Sequence, residues 1–181
     1  MTAIVHTQLA SRPAVPPRPL LQTIFAGAAL AIFAPIAVAL PVTLFRGRPL
    51  PWQLHMPWVS PHLAAALLVL ALGAAQLLLK KGDRRHRLMG YAWLALMGFI
   101  SVSGLLIQLD PGHVSVVHMA SSVFAVINLV LLPLVIVGAR TGRRRLHRIA
   151  ALGMFACTLN AGLMAFIPFR AVGSLVFGLL H

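Results

Sequence analysis

Four of the eight histidines stand at or near the starts of long apolar runs, where an imidazole could act as a ligand inside a membrane. These residues are His62, His86, His118 and His147. Imidazole nitrogens bind transition metals and haem iron, so these side chains could hold a metal-containing cofactor between helices. They are the candidate cofactor ligands of this chain.

The order of the helices sorts these histidines into two pairs. Successive membrane helices alternate in direction, so the starts of the second and fourth lie on one side and those of the third and fifth on the other. His62 therefore pairs with His118, and His86 pairs with His147. Ligation of a b-type haem by two histidines needs such a pair at similar depth in a helix bundle. The pattern predicts that one or two b-type haems could lie between paired histidines, and His62 and His118 are the first candidates to hold the iron.

Composition indicates the elements that must position these side chains. The chain has 181 residues, of which 60% are hydrophobic and only 9% charged, whereas about a quarter of the residues of an average globular chain are charged. The net charge of +13 comes from basic residues in short clusters between long uncharged runs. This arrangement is typical of a polytopic membrane protein whose basic groups face anionic headgroups, and not of a nucleic-acid-binding protein. The single cysteine, Cys157, excludes an intramolecular disulfide.

Five apolar runs approach the roughly 20 residues that a spanning helix needs. They predict an all-α fold with helices at about 20–45, 62–79, 88–109, 114–137 and 146–169. Helices two to five are expected to form a four-helix bundle within a single integral membrane domain, residues 20–181. Residues 1–19 are rich in proline and carry two arginines, so they are predicted to form a flexible basic arm. The segment 171–180 is too short to span alone.

The distribution of basic residues predicts the orientation. Twelve of the fifteen Lys and Arg side chains lie in the arm and in the two connections that share its side. Basic connections are retained in the cytoplasm, so we expect a bacterial inner-membrane protein with its amino terminus inside and its carboxyl terminus outside. Trp52 and Trp58 on one side, with Tyr91 and Trp93 on the other, fit interfacial aromatic belts. Seven arginines are predicted to bind anionic phospholipid: Arg84, Arg85, Arg87, Arg143, Arg144, Arg145 and Arg148.

Other interpretations of the same residues stay open. The histidines could be ordinary polar side chains at helix ends, in a cofactor-free accessory subunit that binds lipid or a partner through its arginines. An outer copper or zinc site could instead use His55, His62, His113 and His118, with Asp110 or Met56. The uncharged polar residues Gln76, Gln108, Asn128 and Asn160 could line a quinone pocket or join helices. Because no carboxylate lies within a predicted span, a proton-coupled transporter is disfavoured.

Two family resemblances add expectations. The pairing of histidines on helices two and four and on three and five resembles the transmembrane cytochrome b-561 type, which implies two haems and a role as an electron carrier or haem-dependent oxidoreductase, with quinone or a redox protein as partner. HR dipeptides after basic turns, at 86–87 and 147–148, and the element Pro168-Phe169-Arg170 are closer to the bacterial integral membrane family called domain of unknown function 2306. That resemblance implies a membrane location and no established activity.

Overall fold

A computed structural model describes residues 20–108, 116–167 and 170–178, and gives only the backbone of 116–119. The predicted arm, residues 1–19, lies outside the described residues. The described part of the chain contains α-helices, one short 3₁₀ helix at Trp52–His55 and no strand. The α-helices are α1 (Leu20–Phe45), α2 (Val59–Leu78), α3 (Arg84–Gln108), α4 (Val116–Arg140), α5 (Arg144–Met164) and α6 (Ala171–Phe177).

Four helices within the described residues, α1 to α4, are long and apolar enough to cross a membrane. The chain therefore has the helices of a multi-pass integral membrane protein, which confirms the all-α membrane class. The predicted fifth span is not confirmed by composition. Its residues form α5, but that helix begins with Arg144 and Arg145, carries Arg148 in its second turn and includes Asn160. These polar side chains lower its mean hydropathy below that of the other long helices.

The helix ends differ from the sequence prediction by a few residues. α2, α3 and α5 begin two to four residues earlier than predicted, because polar and basic residues that seemed to belong to connections form first turns. The last predicted helix does not continue to residue 169. It ends at Met164, and the short α6 follows as a separate helix that packs against α1. Val172 and Leu175 of α6 are buried.

Two basic turns join α2 to α3 and α4 to α5, and each depends on a glycine. Gly82 has φ of 87° and Gly142 has φ of 69°, a left-handed conformation that side chains other than glycine rarely adopt. Asp83 then starts α3, since its Oδ1 accepts the backbone N–H of His86 at 2.7 Å. We call this end of the molecule, with residues 79–83 and 141–143, the basic end. The opposite end, with the 3₁₀ helix and α6, is the far end.

The long helices form an antiparallel bundle. α2 packs against α3, α3 against α4 and α4 against α5, while α1 packs along α2 and also contacts α5 and α6. α4 and α5 approach closely at Gly138, where an added Cβ would lie 2.5 Å from the backbone nitrogen of His147. The expected bundle of helices two to five is therefore present, and α1 covers the side where α2 and α5 meet.

The core of the bundle lies between α1, α2, α3 and α5. The rings of Trp93 on α3 and Phe155 on α5 have centroids 6.3 Å apart, and Trp93 Nε1 donates to the carbonyl of Val69 at 3.1 Å. Trp93 is only 5% exposed, so its assignment to an interfacial belt was wrong. Trp52, Trp58 and Tyr91 are exposed, as that assignment requires. Trp93 differs because the carbonyl of Val69 satisfies its N–H inside the bundle.

Candidate functional site

His86 and His147 meet at the basic end. Each lies in the first turn of its helix after a basic glycine turn, and α3 and α5 both run from this end towards the far end. Their ring centroids are 6.4 Å apart, and the ring planes are nearly perpendicular at 82°. Both side chains are half-buried. The structure thus brings together two histidines separated by 61 residues, in the pairing that the alternation of helix direction predicts.

Hydrogen bonding orients the ring of His147. Its Nδ1 lies 3.1 Å from the carbonyl oxygen of Val135 on α4. A carbonyl can only accept, so Nδ1 carries the proton and Nε2 carries the lone pair. The close approach of α5 to Gly138 places the ring within reach of that carbonyl. Nε2 of His147 is therefore the nitrogen able to bind a metal.

His86 differs from His147 in its hydrogen bonding. Its Nδ1 is buried and has no hydrogen-bond partner within the described part of the chain. A buried polar atom without a partner is costly, and such atoms mark places where a ligand or ion is worth considering. Gly90, one turn later, faces Gln76, because an added Cβ would lie 3.8 Å from Gln76 Oε1, an ordinary van der Waals distance.

The seven arginines predicted to contact lipid all lie at the basic end, around this histidine pair. We call Arg84, Arg85, Arg87, Arg143, Arg144, Arg145 and Arg148 the basic-end arginines. All seven are exposed. Arg87 donates from Nη1 to the carbonyl of Gly82 at 3.2 Å, so it also braces the turn before α3. Exposed guanidinium groups at a helix end can reach phosphate oxygens.

His62 occupies the first turn of α2 at the far end. Its Nδ1 lies 2.9 Å from Ser103 Oγ, and that hydroxyl also lies 2.7 Å from the carbonyl of Phe99. The hydroxyl has one hydrogen, which the carbonyl requires, so the imidazole donates to Ser103 and keeps its lone pair on Nε2. Gly104 lets the ring pack against α3, since an added Cβ would lie 3.3 Å from His62 Cε1.

The partner predicted for His62 is not among the described side chains. His118 lies in the first turn of α4, and its side chain is outside the described residues. The pairing of His62 with His118 therefore stays a prediction. The same holds for the outer metal site, because Asp110 and His113 are also outside them. Among the side chains that the structure does describe, no group of three potential metal ligands occurs.

A cavity of about 400 Å³ lies inside the far end, next to His62. Side chains of all five long helices line it, together with residues 170–172. Most of its wall is apolar or small, and the polar residues among its lining include His62, Gln108, Asn128 and Arg170. Volumes of this order are typical of sites that bind small molecules.

Arg170 and Asn128 give this cavity its chemical character. Arg170, just before α6, is half-buried and donates from Nη1 to Ser121 Oγ at 3.3 Å. Asn128 is 5% exposed, and its Oδ1 is buried without a hydrogen-bond partner among the described residues. Gln108 Oε1 is buried in the same unpaired state. The cavity therefore holds a guanidinium and two amides whose hydrogen-bonding capacity is incompletely used.

No protein-family model, curated protein or solved structure matches this chain. The functional argument therefore rests on the two sites themselves.

Sequence reasoning missed the interior position of Arg170 and the role of Ser103. In the sequence, Arg170 is one of only three basic residues on the predicted outer side. That position alone does not indicate a binding site. Ser103 and His62 lie 41 positions apart in the sequence, on different helices, so no local sequence pattern predicts their contact. Of the uncharged polar residues, Gln108 and Asn128 line the cavity, whereas Asn160 is exposed and donates to the carbonyl of Ala156 within its own helix.

Proposed function

We propose that this integral membrane protein binds haem b between His86 and His147 and carries electrons at the membrane. The observation that carries the proposal is the meeting of the two rings at the basic end, with centroids 6.4 Å apart. Two imidazole nitrogens that each lie about 2.0–2.1 Å from one metal ion leave their ring centroids roughly 6 Å apart. The observed separation therefore suits a metal held by both rings.

The surroundings of the pair also fit a metal-bound imidazole. Metal-binding histidines usually donate their second ring N–H to a carbonyl or carboxylate, which fixes the tautomer and orients the ring. His147 makes such a bond to Val135. His86 Nδ1 is buried without a hydrogen-bond partner among the described residues, so this nitrogen is free to bind a metal. The residues present are thus compatible with a haem group.

In this proposal the chain supplies ligands, orientation and charge. His86 and His147 hold the iron, and Val135 fixes the ring of His147. The basic-end arginines provide cations for carboxylate groups and for anionic lipid. When bound, a b-type haem accepts and releases single electrons, and its potential depends on the axial ligands and on the polarity around them. The electron donor or acceptor would be a quinone or a redox protein, as the b-561 resemblance implies.

A second haem at the far end is part of the same proposal. His62 donates from Nδ1 to Ser103 and so presents Nε2, the arrangement that His147 also has. With His118 as the opposite ligand, the outer pair would place a second iron towards the other membrane face. Two haems at the two ends would allow electrons to cross the bilayer.

The same proposal includes five spans and a defined orientation. α5 packs along α4 from His147 beside Gly138 to Gly153 beside Leu131, so it runs through the bundle at the same depth as its neighbour. With α5 as the fifth span, the basic end faces the cytoplasm of a bacterial cell by the positive-inside rule. The far end then faces outside.

Spectroscopy of the purified protein tests the haem directly. Protein made in haem-sufficient cells is expected to show a Soret band and a reduced-minus-oxidised spectrum of b type. His86→Ala and His147→Ala should each remove the haem of the basic end, whereas His55→Ala, at an exposed histidine, should leave the spectrum unchanged. Absence of any haem band from the folded wild-type protein would refute the proposal.

A ligand replacement distinguishes axial ligation from a structural role. His147→Met keeps a side chain able to bind iron, and methionine as an axial ligand raises the reduction potential of a haem. The variant is therefore expected to retain haem with a more positive midpoint potential. A merely structural histidine would give no such shift, whatever the effect on folding.

A second candidate function is supported by the exposure of all seven basic-end arginines. A cofactor-free subunit could use them to hold anionic lipid or an acidic partner. Replacing Arg143, Arg144 and Arg145 by glutamine is then expected to weaken binding of phosphatidylglycerol to the detergent-solubilised protein. His86→Ala and His147→Ala would leave lipid binding and folding intact in this case, and no haem would be found.

A further inference from the structure

We infer that the far-end cavity binds an amphiphile that carries a carboxylate, with the carboxylate against Arg170 and the apolar body among the side chains of α1, α2 and α3. This inference goes beyond the proposed haem at the basic end and does not require it. It rests on the charge, the unpaired amides and the shape of the cavity.

Among the described residues, no carboxylate serves as a counterion to Arg170. The chain has only two acidic residues, Asp83 and Asp110. Asp83 lies at the basic end, and Asp110 lies outside the described residues. Burial lowers the pKa of the Arg170 guanidinium, but an arginine remains protonated at neutral pH. A half-buried positive charge is costly unless an anion compensates it, so an anionic ligand would be strongly favoured here.

The geometry of a guanidinium selects the kind of anion. Arginine presents its N–H groups as a planar fork that matches the two oxygens of a carboxylate. One of these groups donates to Ser121 Oγ, and the described part of the chain offers Arg170 no second side-chain acceptor. Its remaining N–H groups are therefore available to a carboxylate.

The other residues that line the cavity indicate the chemistry of the rest of the ligand. Asn128 lies there with an unpaired Oδ1 although its side chain is 5% exposed, which is a second and independent sign of a missing partner. Ile32, Leu70, Ile100 and Phe124 form much of the surrounding wall. A ligand with an anionic head and an apolar body satisfies both parts, whereas a free inorganic anion would leave the apolar part empty.

Two molecules share this chemistry. A fatty acid from the membrane has a carboxylate and an apolar chain, and a haem at His62 would offer its propionate groups to the same arginine. The test therefore has one arm for each source. In the first arm, palmitate labelled with ¹³C at the carboxyl group is titrated into detergent-solubilised protein and followed by NMR.

The wild-type protein is expected to shift the carboxyl resonance of palmitate in a saturable manner. Arg170→Gln should weaken binding at least about tenfold, since a hydrogen bond to a charged group is worth roughly one to two factors of ten. Arg46→Gln is the matched control, because Arg46 is an exposed arginine at the same end and its loss changes the net charge equally. Ala125→Phe, which fills the cavity wall and leaves Arg170 in place, should also abolish binding.

The second arm counts haem. If a haem occupies the cavity, palmitate will not bind to the haem-loaded protein, and Arg170→Gln will lower the haem content or shift the midpoint potential of that haem, while Arg46→Gln does neither. Either result supports a carboxylate site. Equal palmitate affinity in the wild type and the Arg170→Gln variant, together with unchanged haem content and potential, overturns the inference. Absence of any haem band from the folded wild-type protein, together with palmitate binding that depends on Arg170, would refute the proposed function without touching this inference.

Discussion

At the basic end the arginines are exposed and surround a pair of neighbouring histidines, whereas at the far end a half-buried Arg170 lies beside a cavity. Exposed guanidinium groups keep most of their hydration, so each contributes little to the stability of the fold. A half-buried guanidinium has lost part of its hydration, so it interacts more strongly with the polar groups around it. The number of basic residues at one end of the bundle is thus useful for predicting orientation in the membrane. The burial of a single basic residue is useful for locating a binding site.

Packing differs between the ends in a related way. At the basic end α4 and α5 are in backbone contact at Gly138, and the ring of His147 is fixed by the carbonyl of Val135. At the far end the helices separate enough to leave about 400 Å³ between them. The closely packed end therefore has one ligand nitrogen oriented by a hydrogen bond, and the far end has a cavity large enough for a bulky ligand.

The largest effect is expected from glycine substitutions that test this contrast in packing. Gly138→Ala places a Cβ 2.5 Å from the nitrogen and 2.9 Å from the Cα of His147, and backbone atoms cannot move aside. The free energy of unfolding should fall by about 3 kcal/mol, and any bound haem should be lost with it.

Gly104→Ala at the far end is the matched substitution. Its Cβ would meet the movable ring of His62 at 3.3 Å, and helix propensity favours alanine by about 1 kcal/mol, so little net change is expected. Thermal unfolding in detergent measures both variants. Equal losses of stability would show that the two ends are packed alike.

The next effect concerns the unpaired amide in the cavity. Asn128→Leu removes a buried polar group without a partner, so the ligand-free protein should become more stable by about 1–3 kcal/mol. Palmitate binding should weaken in the same variant, because the ligand loses a polar neighbour. A decrease in the thermal midpoint of the ligand-free protein would contradict the unpaired state of Asn128 Oδ1.

These contrasts also show how far the sequence could lead. Apolar length predicted the helices, and alternation of direction predicted that His86 would face His147, because both arguments depend only on local composition and on chain order. Arg170 and Ser103 could not be placed this way. Their roles arise from side chains brought together across 49 and 41 residues of chain, a distance that no helical period encodes.

The fifth helix illustrates a different limit. Hydropathy alone does not mark α5 as a span, since its basic first turns and Asn160 dilute the apolar run. Its packing along α4 is a contact that hydropathy does not predict. Trp93 makes the same point for aromatic belts. Its place in the sequence resembles that of an interfacial residue, but the carbonyl of Val69 provides the hydrogen bond that water or a headgroup would otherwise make.

A smaller effect is expected at the hydrogen bond that orients His62. Ser103→Ala removes the acceptor of His62 Nδ1, and the free energy of unfolding should decrease by about 1 kcal/mol. If a haem is bound at the far end, its midpoint potential should shift as well, while the haem of the basic end keeps its potential. A redox titration resolves the two components. A shift in the basic-end component alone would contradict the separation of the two sites.

The smallest effect compares the two basic turns. Asp83 accepts the backbone N–H of His86 and so caps α3, whereas Arg143 before α5 makes no side-chain cap. Asp83→Ala should therefore destabilise the protein by about 1 kcal/mol. Arg143→Asp should stabilise it by a similar or smaller amount, because an aspartate there supplies the missing acceptor and lies among arginines.

Thermal unfolding at low and moderate salt separates the contribution of charge from that of capping. The stabilisation that comes from charge should decrease as salt increases, and the stabilisation that comes from capping should persist. If Arg143→Asp instead lowers stability at every salt concentration, the first turn of α5 is held by contacts of Arg143 with lipid or detergent headgroups, and the stability of the basic end would then depend on its surroundings.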